Sequence, residues 1–286
     1  MSQRQELQNA LDKWWNTTDR SIMSFIKIKV FRSPYRSIPL HVAAECGDHF
    51  KMEMILSSSK VEIDETVLPS LDTALHCAST AKCVQLLVEH GFSLEKINRF
   101  RMTPIHVASY NDHLEALEQL VICGGDVNAT IRDVHPFNAT GLVSEIPTLH
   151  FLLRTGCEMT TASFHRQINF GNFHIVEEVI NLGVYNVNAI GFKGRSALHV
   201  TCRNKGGRGY RGYHEKRFRI ARLLIENGIK TNTVDADGKT AWHWLNKTDP
   251  LNNELLVMLE KQMELESNNF GFTRSCTACT SIVESP

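Results

Sequence analysis

Thirteen histidines and eight cysteines are the residues here whose types do acid–base, nucleophilic or metal chemistry, and their spacing decides whether they act together. Metal binding needs several such groups converging, and covalent catalysis needs a nucleophile within reach of a base. Six of the histidines (His41, His76, His106, His165, His199 and His243) fall one at a time, each at the fourth position of a short recurring motif. No His-Glu-x-x-His, P-loop, Gly-x-Ser-x-Gly or kinase-type motif occurs. His150 and Cys157 do not form a nucleophile–base pair by sequence, because helix placement points them along different turns. No carboxylate pair sits in a setting that shifts its pKa. The expectation is no catalytic residue, no metal site and no cofactor.

Cys276-Thr277-Ala278-Cys279 is the one close cysteine pair. Zinc requires a second pair, and redox use requires a strand–helix context. The pair is therefore read as inert thiols or sites of reversible acylation. The remaining six, at 46, 77, 83, 123, 157 and 202, are scattered through apolar segments, which reads as reduced thiols packed in a core.

A second kind of chemistry is offered by Lys205 to Arg219, where six residues are basic, one is acidic, and Gly and Tyr alternate with Arg. Such segments hold phosphates by charge and stack bases on aromatics. The competing reading, a solvated loop between two helices, is preferred. Arg208, Tyr210, Arg211 and Tyr213 are the candidate contacts if the segment binds RNA or a protein.

Lys plus Arg equals Asp plus Glu at 31 each, so net charge gives no reason to expect nucleic acid or an anionic membrane except at a local patch. The N-terminus opens polar without an apolar signal core, and no apolar run approaches the roughly 20 residues of a membrane span. The expectation is an intracellular, cytoplasmic or nuclear, monomeric chain.

The elements that carry these residues form a repeat. Ile38-Pro39-Leu40-His41 recurs as Thr73-Ala74-Leu75-His76, Thr103-Pro104-Ile105-His106, Ser196-Ala197-Leu198-His199 and Thr240-Ala241-Trp242-His243. Each is followed by an apolar segment at helical spacing, and Gly91, Gly124, Gly156, Gly183 and Gly228 mark helix ends. Counting back from Gly156 and Gly183 reveals degenerate copies at His135-Pro136-Phe137-Asn138 and Ala162-Ser163-Phe164-His165. The second positions, 39, 74, 104, 136, 163, 197 and 241, recur about every 34 residues, near the roughly 33 of one repeat class. Thr or Ser at the first position caps a helix, and Pro suits its first turn. Ile38, His135 and Ala162 lack that hydroxyl, so the first, fourth and fifth copies are expected to be softer by about 1 kcal/mol each.

These motifs resemble the ankyrin family over roughly residues 35–262. The resemblance implies an all-α solenoid of about seven repeats, each a turn followed by two antiparallel helices, with the histidines structural and bonded to backbone in an adjoining turn. It implies a scaffold or adaptor that binds other proteins through turn tips and first helices. By register those positions are Phe100, Arg101, Arg132, Phe192, Lys193 and Lys239, with Tyr110 and Asn111 on the first helix of the third copy. The family's hydroxylation pattern matches Leu120 with Asn128, and less fully Leu224 with Asn232; a turn Asn bonding backbone is the preferred reading. The alternatives are nucleic-acid or partner binding through the basic insertion, about 206–217, and the substrate-recognition subunit of a ubiquitin ligase. Residues 1–34 hold an amphipathic stretch, Leu7, Leu11, Trp14 and Trp15, read as a cap over the first repeat, with a partner- or membrane-surface helix as the rival. Residues 263–286 are read as a disordered tail.

Overall fold

The computed structural model describes residues 39–57, 61–131, 136–203, 211–245 and 252–269. The expected cap in 1–34, the Cys276–Cys279 pair and most of the expected tail lie outside these residues. The chain divides between Ser163 and Phe164 into two compact units.

In the first unit helices come in pairs: α1 (Pro39–Glu45) with α2 (His49–Leu56), α3 (Ala74–Cys77) with α4 (Ala81–Glu89), and α5 (Pro104–Tyr110) with α6 (Leu114–Ile122). A 3-10 turn (Ala139–Gly141) and α7 (Ile146–Arg154) follow. First helices pack on first helices, α1 on α3 on α5; second helices pack on second, α2 on α4 on α6, with α7 against α6. The sequence dictates this two-layer order. Cys83, Val84, Leu86 and Leu87 of α4, and Ala116, Leu117 and Leu120 of α6, fall on one buried face of each helix. Burying a Leu in this way contributes about 1.5–3 kcal/mol. The small residues Ala43, Ala44, Ala74 and Ala108 let the first helices approach closely.

Helix α6 stops at Gly124, whose φ is 94° and whose N–H donates to Val121 O at 3.0 Å, while Gly125 N–H donates to Leu120 O at 3.0 Å. No atom lies within 4 Å of a Cβ built at Gly124, so backbone conformation, not space, favours glycine there.

Strands are absent among the described residues, and backbone pairing outside helices is limited to isolated bridges at Val67–Asp72 and Ile131–Phe137. The all-α expectation holds. The helices are less even than the motif implies, since α3 is a single turn of 4 residues and the first helix after Asn138 is reduced to the 3-10 turn. Asn138 stands at the histidine position and does the histidine's work: its Nδ2 donates to Glu158 O at 2.7 Å, and its Oδ1 accepts from Ser163 Oγ at 2.7 Å.

The second unit holds the greater part of α8 (Thr161–Phe170), which spans the division, then α9 (Phe173–Asn181), a 3-10 turn (Phe192–Gly194) and α10 (Ala197–Cys202). It continues through α11 (Arg211–Glu226) and a second 3-10 turn (Ala241–Trp244) to α12 (Asn253–Asn269). Helix α9 packs on α11, and α11 on α12; α10 packs on α11 and on the 241–244 turn.

Several expectations are corrected. Helix α8 does have a capping hydroxyl, two residues before Ala162: Thr160 Oγ1 accepts from Ser163 N–H at 3.1 Å. Ile38 and His135 lie outside the described residues. From Arg211 onward the expected insertion is helix, and Arg217 is only 7% exposed, its guanidinium donating to the carbonyls of Val200 and Arg203. Residues 263–269 are the end of α12, and Glu266 accepts the backbone N–H groups of Thr231, at 3.0 Å, and Asn232, at 3.3 Å. Cys83, Cys157 and Cys202 are core thiols as expected, but Cys46 is exposed and Cys77 and Cys123 are half-buried.

Candidate interaction surface

The recurring histidines build the frame on which the tips stand. At Thr73, Thr103, Ser196 and Thr240 the cap residue and the histidine three places on form a reciprocal capping box. His106 Nδ1 accepts from Thr103 N–H at 3.2 Å and lies 2.8 Å from its hydroxyl, while Nε2 lies 2.9 Å from Ala129 O. A carbonyl only accepts, so Nε2 carries the proton and Nδ1 is the acceptor. His76 makes the same bridge to Met102 O at 3.0 Å, and His199 to Lys239 O at 2.9 Å. His41 Nε2 reaches Glu65 O and Asp72 O, at 3.1 and 3.0 Å. Each ring thus ties one first helix to the turn that follows. Burial lowers the pKa of His41, His76 and His199, and that of His106 to about 4, against backbone bonds that pull the other way. These rings are neutral and spent on structure. Burial likewise pushes the Cys157 thiol up to about 11 and the Cys202 thiol to about 12, which keeps both protonated. Among the described residues no three His, Cys, Asp or Glu side chains are grouped to hold a metal.

In the first unit two adjacent tips are joined. Val67 N–H donates to Asp72 O at 2.9 Å, closing one tip, and Arg99 N–H of the next donates to Ser70 O at 2.8 Å. Asn98, 6% exposed, frames the second tip: its Nδ2 donates to Asp72 Oδ1 at 2.7 Å, and its Oδ1 accepts from Phe100 and Met102 N–H at 2.9 and 3.0 Å. The frame leaves Phe100 61% exposed, with Leu68, Leu71 and Ile97 also exposed on or beside these tips. Leu71 and Arg101 both hold positive φ, 59° and 60°, at a place where glycine is free of cost. Phe100 and Arg101 therefore share this tip, and both are exposed. Tyr110 and Asn111 are exposed but stand at the far end of α5, about 10 Å along the helix from its start. Arg132 lies outside the described residues. Leu68, Leu71 and Ile97 carry no signal in the sequence, because the motif's register marks only Phe100 and Arg101 on these tips.

In the second unit Phe192 and Lys193 share a tip, and Ala236 N–H of the neighbouring tip donates to Lys193 O at 2.8 Å. Lys239 stands on that neighbouring tip and is exposed. Asp235, at the register of Asn98, frames it: Oδ1 accepts from Asp237 and Lys239 N–H at 2.9 and 3.0 Å, and Oδ2 accepts from Trp244 Nε1 at 2.9 Å. Although burial pulls the Asp235 pKa upward, the N–H donors from Lys239, Trp244 and Asp237 hold it below the usual carboxylate range. Arg195, Lys239 and Arg203 all lie over the Trp244 ring, at 4.8, 5.3 and 5.5 Å from its centroid. Arg195, Arg203 and Trp244 carried no signal in the sequence, since their contacts join positions up to about 50 residues apart. Arg208 and Tyr210 lie outside the described residues; Arg211 and Tyr213 fall in the first turns of α11.

Asn128 is exposed but engaged at both ends of its amide: Nδ2 donates to Gly156 O at 3.1 Å and Oδ1 accepts from Glu158 N–H at 3.3 Å. Asn188 repeats the arrangement with Gly228 O at 3.1 Å and Lys230 N–H at 2.8 Å. Both amides bridge one turn to the next.

This paired-helix fold with histidine-bridged tips is that of an ankyrin-repeat domain. Residues 40–131 match the family model of ankyrin repeats in three copies, so the chain carries ankyrin repeats. It is similar to the crystal structure of the human ASB11 ankyrin repeat domain, with a TM-score of 0.60 at 16% identity over 78% of this chain and 98% of that one. It is also similar to the ankyrin repeat domain of Bcl-3, a member of the IkappaB protein family, with a TM-score of 0.57 at 18% identity over 79% and 98%. In sequence it is 28% identical over 130 residues to the transient receptor potential cation channel subfamily A member 1 of Drosophila melanogaster, covering 42% of this chain and 11% of that protein. It is 24% identical over 149 residues to ankyrin repeat and SOCS box protein 5 of Oryctolagus cuniculus, covering 49% and 44%. The chain thus matches less than half the length of either relative. Among the described residues no helix is long and apolar enough to cross a membrane.

Proposed function

We propose that this chain is an adaptor that binds partner proteins through the tips of its repeats. Ankyrin repeats are protein-interaction modules, and the finer reading rests on one observation: Asn98 and Asp235 spend their side chains holding tips from which Phe100, Lys193 and Lys239 project. A frame fixed in advance lowers the ordering cost of binding, and a few aromatic and basic anchors then dominate affinity. The test is affinity capture from a cell lysate with the intact chain and with Phe100→Ala and Phe192→Ala, each checked for an unchanged melting temperature. Selective loss of captured proteins supports the reading. An identical set from all three chains sinks it.

A second reading, the substrate-recognition subunit of a ubiquitin ligase, is favoured by the likeness to an ankyrin repeat and SOCS box protein. It predicts that ligase components co-purify with the full chain and that the captured proteins are ubiquitinated in its presence. RNA binding through Arg208 and Tyr210 is a third reading, and nuclease treatment of the capture separates it from the first.

A further inference from the structure

We propose that the Trp244 face of the second unit docks an acidic segment of a partner protein, whose Asp and Glu carboxylates are taken by Arg203 and Lys239. The proposal rests on the reading of the tips as protein-binding and names the chemistry of the partner there.

Three cations share one indole. Arg195, Lys239 and Arg203 each lie within 5.5 Å of the Trp244 centroid, so any two are no more than about 11 Å apart and repel one another at low salt, where the Debye length is about 10 Å or more. The exposed Lys193, from the adjoining tip, adds a fourth positive charge. Two carboxylates stand nearby, and both are committed. Asp235 is buried, and its oxygens accept from Asp237 N–H, Lys239 N–H and the Trp244 indole, with Arg195 Nε at 3.8 Å. Asp237 lies 4.0 Å from Arg195. Arg203 and Lys239 have no carboxylate within ion-pair distance among the described residues. In a chain whose formal net charge is +0, this is a local positive excess on a framed, partly exposed surface.

The occupant follows from the arrangement. Cations lie over the indole ring and its N–H is bonded to Asp235, so the ring does not offer the open face on which a nucleobase stacks. Asp237, more than half exposed, also opposes a continuous polyphosphate. A guanidinium fork matches a single carboxylate, and the ammonium of Lys239 supplies a second point of charge for its neighbour. Phe192, 51% exposed on the joined tip, gives an apolar side chain between the acids something to rest on.

The test is fluorescence anisotropy of the full chain at low salt with a fluorescein-labelled peptide of eight glutamates around a central leucine. Saturable binding is expected, weakened about tenfold or more by Arg203→Ala with Lys239→Ala, weakened by added salt, and unchanged by Lys82→Ala with Lys96→Ala in the first unit. Both double variants are checked by thermal melting, and only chains that melt as the parent does are compared. Equal loss in the two doubles, or no binding, overturns the proposal. Tighter binding of an oligouridine of equal charge, lost in the same variant, overturns it in favour of nucleic acid. If the peptide fails to bind while Phe192→Ala still loses captured proteins, this assignment falls and the adaptor reading stands.

Discussion

His106 Nε2 lies 2.9 Å from the carbonyl oxygen of Ala129, 23 residues further along the chain, and this bond makes one repeat's first helix the support of the next turn. The same ring closes its own helix through Nδ1 and Thr103. A side chain with two such bonds in a buried site links the local motif to the stacking of repeats.

Acid should therefore loosen the array. His106 titrates near 4 when folded, against 6.5 ordinarily, because burial disfavours the charged ring. Between those values the unfolded chain takes up a proton that the folded chain refuses. Stability from this residue is whole above about pH 6.5, falls as the pH drops, and is fully lost below about 4; its size is on the order of 3 kcal/mol. His41, His76 and His199 are lowered as well and add in the same direction. Urea midpoints measured from pH 7.5 down to 4 should decline steadily across that window. A flat profile would mean that the rings are protonated in the fold.

An inner and the last member of the pattern should respond differently to truncation. His106→Ala leaves a half-buried carbonyl and a buried N–H without His106 as partner, and is expected to cost about 2–4 kcal/mol. His243 forms its capping box with Thr240 at 2.9 and 3.2 Å but is itself exposed, and no bond to a later turn is seen among the described residues. His243→Ala is expected to cost about 1 kcal/mol or less. Chemical denaturation of both variants decides it, and equal costs would refute the bridging role.

Asn138 is the concealed member of the same series. It is 2% exposed, and three polar partners, Glu158 O, Ser163 Oγ and Thr140 Oγ1, each lie 2.7 Å from its amide. Asn138→Ala should destabilise the first unit by about 2–4 kcal/mol, whereas Asn111→Ala, at an exposed helix end, should cost under about 1 kcal/mol. Hydrogen exchange of α7 amides reports the difference directly.

These cases show why part of the molecule was legible in the sequence and part was not. Thr103 and His106 are three residues apart, so their capping box is a local event that a motif records. The helix-ending Gly124 is equally local. Asn138 substitutes for histidine by chemistry rather than by identity, and Thr160 caps α8 from outside the expected register, so both escaped. Arg217 reads from the sequence as part of a basic loop because charge is visible there and burial is not. The Trp244 cluster joins Arg195, Arg203, Asp235 and Lys239, which only the fold brings together. Register alone places Phe100 and Lys193 on tips, since the tips keep a fixed distance from the motif.

Thiol reactivity should follow burial rather than position in the motif. Cys202 is 1% exposed with its pKa pushed to about 12 by burial, and Cys157 is 2% exposed with its thiol at about 11. Brief treatment of the native chain with iodoacetamide, followed by mapping of the modified peptides, should mark Cys46 and leave Cys157 and Cys202 untouched until denaturant is added.

Lys193 offers the sharpest separation of stability from binding. Its φ of 57° places a non-glycine side chain in the left-handed region, while the next residue, Gly194, also has positive φ. Relief of that strain by glycine is opposed by the added freedom of the unfolded chain, and the net gain is expected to be about 0.5 kcal/mol. The carbonyl that accepts from Ala236 is retained, so the joined tips persist. Lys193→Gly should therefore melt slightly higher than the parent and bind the polyglutamate peptide more weakly. A variant that is both more stable and an undiminished binder would show that Lys193 contributes no charge to the docking face. One that is less stable would show that its side chain, not its backbone, holds the tip.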